Sequence, residues 1–374
     1  MRTILHFAQD SDTSGFFPQL AKWHDRHRLR MVFGTLKPMA PWLRDYMESQ
    51  GVPCFSCEAK ARAEYALALL RLVSFLSKAR VEILHTHLFD PSVVGLTAGV
   101  VARTPLRVLT RHYSDYHTRI DRPWHVRLDR LCTRLSHGVI AVSQHTSQHL
   151  IGVEGAPPDK VHTILNGIDF DRVRVPDPEA SQRLRGEFGA DSANLLLIAA
   201  RIHPEKGYDI LLNAMPMIQR NGGRPSLLLV AGAGPLEAHY REMARSLGIE
   251  KHVRFLGFRQ DLPALMKAAD VFLLPSVAEA FGLVLAEALY LGVPVIASRV
   301  GGIPEIIDDG VDGILVPPGN AESLAAAVTS LLAHPERRQA LAGAGRDKVV
   351  QRFKFSDMVR AYESLYERLA GQAA

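Results

Sequence analysis

Four charged side chains at the ends of apolar stretches are the residues best suited to chemistry in this chain. Glu279 and Glu287 bracket the run EAFGLVLAE, and Arg201 and Lys206 stand in ARIHPEK. A carboxylate accepts two hydrogen bonds from a vicinal diol, so Glu287 suits a ribose better than a bare phosphate. Glu279 precedes a helix start, beside the first free amides at Phe281, Gly282, Leu283 and Val284, which are natural donors to a pyrophosphate or to sugar hydroxyls. Arg201 can grip two oxygens at once and Lys206 acts as a movable point charge. Together they suit a diphosphate that departs with its negative charge. Plainer readings exist: a helix-dipole charge worth ~0.3–1 kcal/mol for Glu279, a polar surface position for Glu287, surface salt bridges for the cations. Against the surface reading, Leu283, Leu285, Ala286, Ala288 and Leu289 make the helix apolar all round, and a carboxylate buried there needs a partner.

Such residues must be held by strands. Residues 271–274 read as a buried strand running through Pro275-Ser276 into the Glu279 loop; residues 294–297 read as a second, leading into Gly301-Gly302 and a short helix. Around them the chain alternates strand and helix, as βαβ units do. In the first half, strands are expected at 3–7, 29–33, 83–85, 107–110, 138–141 and 161–164, with helices near 17–24, 40–49, 61–79, 91–101, 124–135 and 143–151. After a turn-rich connection at 174–178 and a short helix at 179–188, the rhythm restarts. Strands are expected at 195–199, 226–231, 253–256 and 314–316, and helices at 208–219, 236–247, 261–268, 324–332 and 335–353. A last amphipathic helix at 355–369 follows. The expected architecture is α/β, with two Rossmann-like parallel-sheet domains, 1–175 and 176–353, facing a cleft. Residues 354–374 are expected to pack back on the first domain. Ligands of such sheets bind at the C-terminal ends of the strands.

Composition narrows the class. The 374 residues are 47% hydrophobic and 22% charged, which fits a folded protein of two domains. The opening MRTILHFAQD is too soon polar for a signal peptide, and no apolar run is long enough to span a bilayer, so the expected compartment is the cytoplasm. Cys54 and Cys57 have redox or metal spacing without a second cluster nearby, which favours a structural role. Residues 1–175 hold 23 Lys/Arg against 16 Asp/Glu, whereas the remainder holds 21 against 23. A basic first domain favours an anionic acceptor or an anionic membrane surface. The segment 61–81, with Arg62, Arg71, Lys78 and Arg80, could touch a membrane, although a sheet-covering helix explains it better. No nucleic-acid signature accompanies the charge.

The second half resembles the nucleotide-sugar-binding domain of retaining glycosyltransferases of the GT-B fold, family 4. The resemblance is carried by Ala200-Arg201 with Lys206-Gly207, the GAGP turn containing Gly232 and Gly234, and Gly257 before a helix. Most specific is Glu279-Ala-Phe-Gly-Leu-Val-Leu-Ala-Glu287, followed by Gly301-Gly302-Ile-Pro-Glu305 and Asp312-Gly-Ile-Leu-Val-Pro317. The resemblance is close over 195–320 and loose before 160. It implies that Glu287 binds the ribose, that Glu279 binds the donor sugar and stabilises its oxocarbenium-like state, and that Arg201 and Lys206 hold the diphosphate. It also implies a catalytic role for His112, which follows an expected strand in TRHYSDYH; Asp115 and His117 are possible acceptor contacts and Arg111 a possible anion contact. Gly15 stands where the family commonly has paired glycines against phosphate; here there is one. Ala200 replaces the family's usual glycine.

The function so implied is transfer of a hexose from a nucleoside diphosphate sugar, UDP-sugar favoured, to a hydroxyl acceptor with retention of configuration, in polysaccharide or glycoconjugate synthesis. The donor is a substrate. No cofactor or metal is implied; His85-x-His87 is a metal-like pair without obvious further ligands. A carbohydrate, a sugar phosphate or a lipid-linked compound could be the acceptor, and peripheral contact with the inner face of the membrane is compatible with the charge. Alternatives are another GT-B enzyme such as an epimerase, or a nonenzymatic nucleotide-sugar or polyanion-binding protein. An oxidoreductase is disfavoured because no Gly-x-Gly-x-x-Gly loop follows the first strand.

Overall fold

Short runs of Ile, Leu, Val and Phe, too brief for helices and flanked by polar turns, form two all-parallel sheets in a computed structural model that describes residues 1–9, 15–113, 122–189, 192–220 and 223–372. Strands of a parallel sheet are covered on both faces, which is why these runs are nearly continuously apolar rather than alternating.

The chain divides into two units. The first comprises Met1–Gly167 together with the segment from Phe355, and the second comprises Ile168–Lys354. In the first unit, β1 (Arg2–Ala8), β2 (Leu29–Thr35), β3 (Cys54–Ser56), β4 (Ile83–His87), β5 (Leu106–Arg111), β6 (Gly138–Ala141) and β7 (Val161–Thr163) lie in the order β3-β2-β1-β4-β5-β6-β7. β1 is therefore the switch point, pairing with β2 on one side and β4 on the other, with His6 opposite both Phe33 and His85. Helix Tyr65–Lys78 buries Ala68, Leu72 and Leu76, so the segment weighed as a membrane contact covers the sheet; Leu67 and Leu70 remain exposed. Helix Phe355–Gln372 buries Phe355, Met358, Val359, Tyr362, Leu365, Tyr366 and Leu369 in a core shared with Ile4, Phe17, Met31 and Val108.

In the second unit, β8 (Asn194–Ala199), β9 (Ser226–Ala231), β10 (Val253–Gly257), β11 (Val271–Leu274), β12 (Val295–Ser298) and β13 (Ile314–Val316) take the order β10-β9-β8-β11-β12-β13. Here β8 is the switch point, between β9 and β11. Helix Tyr208–Arg220 and helix Ala321–Ala333 pack on one face, with Tyr208, Leu211, Met215, Leu324 and Val328 in the core.

The strand β3 was not expected from sequence. Its three residues include Cys54, and Cys57 follows directly; burial pushes the two thiols up to about 11 and about 12 respectively. Thiols held protonated in this way are poor nucleophiles and poor metal ligands, which fits a structural role.

Candidate active site

The loops after β8 and β11 leave neighbouring strand ends and meet. β8 ends at Ala199, the chain turns through Arg201 into a short 3-10 turn at Pro204–Lys206, and the amide of Val277 donates to the carbonyl of Glu205 at 2.9 Å. Lys206 Nζ donates to Glu279 Oε2 at 2.7 Å, and both side chains are mostly buried, 13% and 16% exposed. The Ser276 hydroxyl donates to the same oxygen at 3.4 Å. Arg201 donates to Glu205 at 3.2 Å yet stays 78% exposed, leaving most of its guanidinium in the open. Glu205 also lies 4.0 Å from Lys206 Nζ. The sequence therefore places Arg201, Lys206 and Glu279 in one cluster, and Glu205 and Ser276 join them. Glu205 had a local signal in its four-residue spacing from Arg201; Ser276 had none beyond its place after a strand.

The backbone at Glu279 is fixed by tight packing. Gly301 has φ 53°, and a Cβ added there would run into the carbonyl oxygen of Glu279, which accepts from the amide of Gly302 at 3.1 Å. The Gly301-Gly302 pair thus seats the Glu279 loop against the end of β12. Helix Leu283–Tyr290 then starts at Gly282 with no side-chain cap, so the amides of Leu283 and Val284 have no capping acceptor from that residue. Phe281 is 2% exposed with its ring against Phe353, 5.7 Å between centroids, which leaves only its backbone for a ligand.

Glu287 is partly buried on that helix. Burial raises its carboxyl above the usual range and the positive charge of Arg172 opposes the rise. Arg172 is brought there by the turn after Ile168: Phe170 stacks on Tyr290 at 4.5 Å between centroids, and the Ile168 amide donates to Phe353 O at 2.7 Å. Arg172 was missed by sequence reasoning because the turn that delivers it is distant in sequence from the helix.

Gly232 and Gly234 close the wall under Arg201. A Cβ at either would strike the carbonyl of Ala200 or of Ile202, and the Gly232 amide donates to Gly257 O at 2.8 Å. These glycines hold the β8, β9 and β10 ends together.

The other predicted residues lie in the first unit. Gly15, φ 72°, starts helix Phe16–Trp23. Arg111 does not serve an external anion: it is 1% exposed, with Asp129 at 3.2 Å and Glu154 at 3.0 Å, which consume its charge internally. Asp115 and His117 lie outside the described residues, as does the 12–14 segment. His112 follows β5, with its Nε2 3.1 Å from His87 Nδ1. The His85/His87 pair gains a third histidine, His6, through the β1–β4 register, and their ligand nitrogens lie within 4.8 Å of one another. Both nitrogens of His85 are already engaged, by Tyr366 Oη at 2.7 Å and Thr110 Oγ1 at 2.6 Å. A metal there would have to displace a hydroxyl, so the donor set fits an ion poorly. Burial holds His6 down to about 3 and His85 and His87 well below the usual imidazole range.

Known proteins match this chain over most of its length. Residues 181–348 match the model of glycosyl transferases group 1 and residues 20–172 that of glycosyltransferase family 4. A D-inositol 3-phosphate glycosyltransferase of Saccharomonospora viridis is 31% identical over 81% of this chain and 73% of its own. An uncharacterised glycosyltransferase of Methanocaldococcus jannaschii is 30% identical over 79% and 77%. Among solved structures, Anabaena HepE in complex with UDP and glucose superposes with a TM-score of 0.85 at 22% identity, covering 98% of this chain and all of that one. With two parallel sheets of the same order and matches spanning both units, the chain belongs to the group 1 and family 4 glycosyltransferases of GT-B fold, enzymes that transfer a glycosyl group from a nucleoside diphosphate sugar to an acceptor hydroxyl.

Proposed function

We propose that this enzyme transfers a hexosyl residue from a UDP-sugar, with retention, to a hydroxyl of a polyol or sugar acceptor bearing a phosphate. The observation that carries the reading is the Lys206–Glu279 pair, 2.7 Å apart beside an uncapped helix start and the open guanidinium of Arg201. Lys206 and Arg201 take up the charge of the departing diphosphate. Lys206 has three donors, so it keeps Glu279 in place while one of its protons turns to phosphate. Glu279 accepts from hydroxyls of the transferred sugar and stabilises positive charge at the anomeric carbon. The amides of Leu283 and Val284 face phosphate or sugar oxygens, Glu287 accepts from the ribose diol, and Gly232, Gly234 and Gly257 shape the nucleotide wall.

In the first unit we assign His112 to catalysis and Gly15 to close backbone approach to phosphate. The leaving phosphate removes the acceptor proton on the face it departs from. The C–O bond to phosphate breaks as the bond to the acceptor oxygen forms there, and configuration is kept. The donor is itself the reactive group, and the reading assigns no metal to the step.

Uridine is the first base to test because HepE was crystallised with UDP; a mannosyltransferase of Mycolicibacterium smegmatis, 36% identical over 56% of this chain and 56% of its own, is named for GDP-mannose. An anionic acceptor is supported by the basic residues 1–175 and by the inositol phosphate in the name of the S. viridis relative. No helix among the described residues is long and apolar enough to cross a membrane. Independently of that, we place the reaction in the cytoplasm, with any lipid-linked acceptor reached from that side. The test is a panel of UDP-, GDP- and ADP-sugars, read by thermal shift and donor hydrolysis, then by NMR of the product made on D-inositol 3-phosphate. A UDP-hexose should stabilise the protein and yield a product of unchanged anomeric configuration. An inverted product, or stabilisation without turnover on any donor, would overturn it.

A further inference from the structure

At the switch point of the first sheet, three imidazoles are joined in series. His6 Nδ1 lies 3.1 Å from His87 Nε2, and His87 Nδ1 lies 3.1 Å from His112 Nε2. His87 is fully buried and His6 is 4% exposed. Phe17 and Phe16 pack edge-on against His87 at 5.0 and 5.8 Å, Phe16 also against His112 at 5.5 Å, while His85 stacks on His87 at 4.2 Å. This wall excludes water from the middle of the series. His85 stays outside it, both of its nitrogens being taken by hydroxyls. The far end, His6, shares a small cavity with His24, Tyr362 and Glu363.

A neutral imidazole has one N–H and one lone pair. His87 uses both nitrogens, so it donates on one side and accepts on the other. If His6 donates from Nδ1, His87 must donate from Nδ1, and His112 then carries its proton on Nδ1. In the opposite sense all three carry it on Nε2. No mixed arrangement satisfies both contacts, and an unsatisfied nitrogen at this depth is costly. Resting on the assignment of His112 to catalysis, we propose that His87 and His6 are positioning residues: a chain of three imidazoles, buried at His6 and His87, that fixes the ring orientation of His112 and ties its tautomer to theirs.

The chain also explains why His6 and His87 sit at buried strand positions where valine or leucine would pack as well. A hydrogen-bonded partner on the second ring nitrogen is the usual device for setting which imidazole nitrogen is protonated.

The test uses protein labelled with ¹⁵N-histidine, with imidazole shifts assigned by single substitutions, and kcat and KM for hydrolysis of UDP-glucose or GDP-mannose, whichever turns over faster. In the unsubstituted enzyme, His6, His87 and His112 should all be neutral and all in the same tautomer. His87→Phe, which fills the space without nitrogens, should leave His112 a mixture of tautomers and lower kcat about tenfold, the equivalent of one lost hydrogen bond, with the donor KM little changed. His87→Gln, whose amide both donates and accepts, should recover most of that loss. His6→Phe leaves the His87–His112 contact in place and should mix the tautomers with a smaller fall in kcat; it decides the matter if His87→Phe does not fold. Mixed tautomers in the unsubstituted enzyme would overturn the proposal. So would wild-type kcat and an unchanged His112 spectrum in both phenylalanine variants, or stoichiometric zinc in the purified protein that these variants lose. His112→Ala separates the two readings: full activity there removes His112 from the reaction whatever the spectra show, whereas an inactive His112→Ala beside a fully active His87→Phe defeats the chain alone.

Discussion

The two sheets share a strand order around their switch strands, β1 and β8, and furnish that shared position with opposite chemistry. In the first, His6, His85 and His87 lie inside β1 and β4 and are buried as neutral rings. In the second, β11 and all of β8 beyond Asn194 are apolar, and the candidate functional groups, Lys206 and Glu279, lie past the strand ends as an ion pair. The difference follows from the cost of desolvation. A neutral, hydrogen-bonded imidazole can sit within a sheet, whereas an ammonium and a carboxylate lose less solvation at its mouth. One topology therefore supplies a rigid support in one unit and a responsive charge pair in the other.

Acid should separate the units most strongly. The three buried histidines have folded values below their unfolded ones, so the unfolded state binds more protons and stability falls as pH drops below about 6.5. Each contributes up to about 1.4 kcal/mol per pH unit, or about 4 kcal/mol for the three, continuing for His6 until about 3. Hydrogen exchange between pH 7 and 5 should show protection lost first in β1 and β4 and later in β8 and β11; the reverse order would break the comparison.

Glu279→Ala should lower kcat by roughly 10²–10³, about 3–4 kcal/mol, while the affinity for UDP measured by calorimetry changes little. A comparable loss of UDP affinity would move Glu279 from the sugar to the nucleotide. Glu287→Ala should do the opposite, weakening UDP binding roughly tenfold, about 1.4 kcal/mol, with kcat at saturating donor largely retained.

The smallest effect concerns Glu287→Gln. The carboxyl of Glu287 has its folded value raised by burial, so the folded state binds the proton more tightly and its ionisation costs stability as pH rises. The glutamine variant should therefore be more stable than the parent at pH 7, read as a higher melting temperature. That gain should shrink as pH falls and vanish below the ordinary carboxylate value of 4.5, where both states hold the proton. A gain that grows toward acid would show that Arg172 outweighs burial.

Much of this was legible in the residues. The strand–helix alternation could be read because most of the parallel strands are short apolar runs bounded by turns, and Lys206 and Glu279 could be placed because each lies in the loop that follows such a run. What escaped were pairings set by register and by distant turns. His6 stands beside His85 only because β1 and β4 pair in parallel with a 79-residue offset, and no local spacing carries that information. Arg172 reaches Glu287 through the stacking of Phe170 on Tyr290. β3, Cys-Phe-Ser, has a single large apolar residue and so neither an apolar run nor an alternation to read.

Helix Phe355–Gln372 belongs to the core of the first unit although it is the last helix of the chain. Its Tyr366 holds His85, and its Glu363 accepts from the amide of Asp25 at 2.8 Å. During synthesis, then, the residues that emerge earliest wait longest for their last native partner, while the second unit is contiguous in sequence and needs no later segment. A nascent chain exposed only as far as Lys354 would present a finished carboxyl-side lobe and an amino-side lobe still missing one wall.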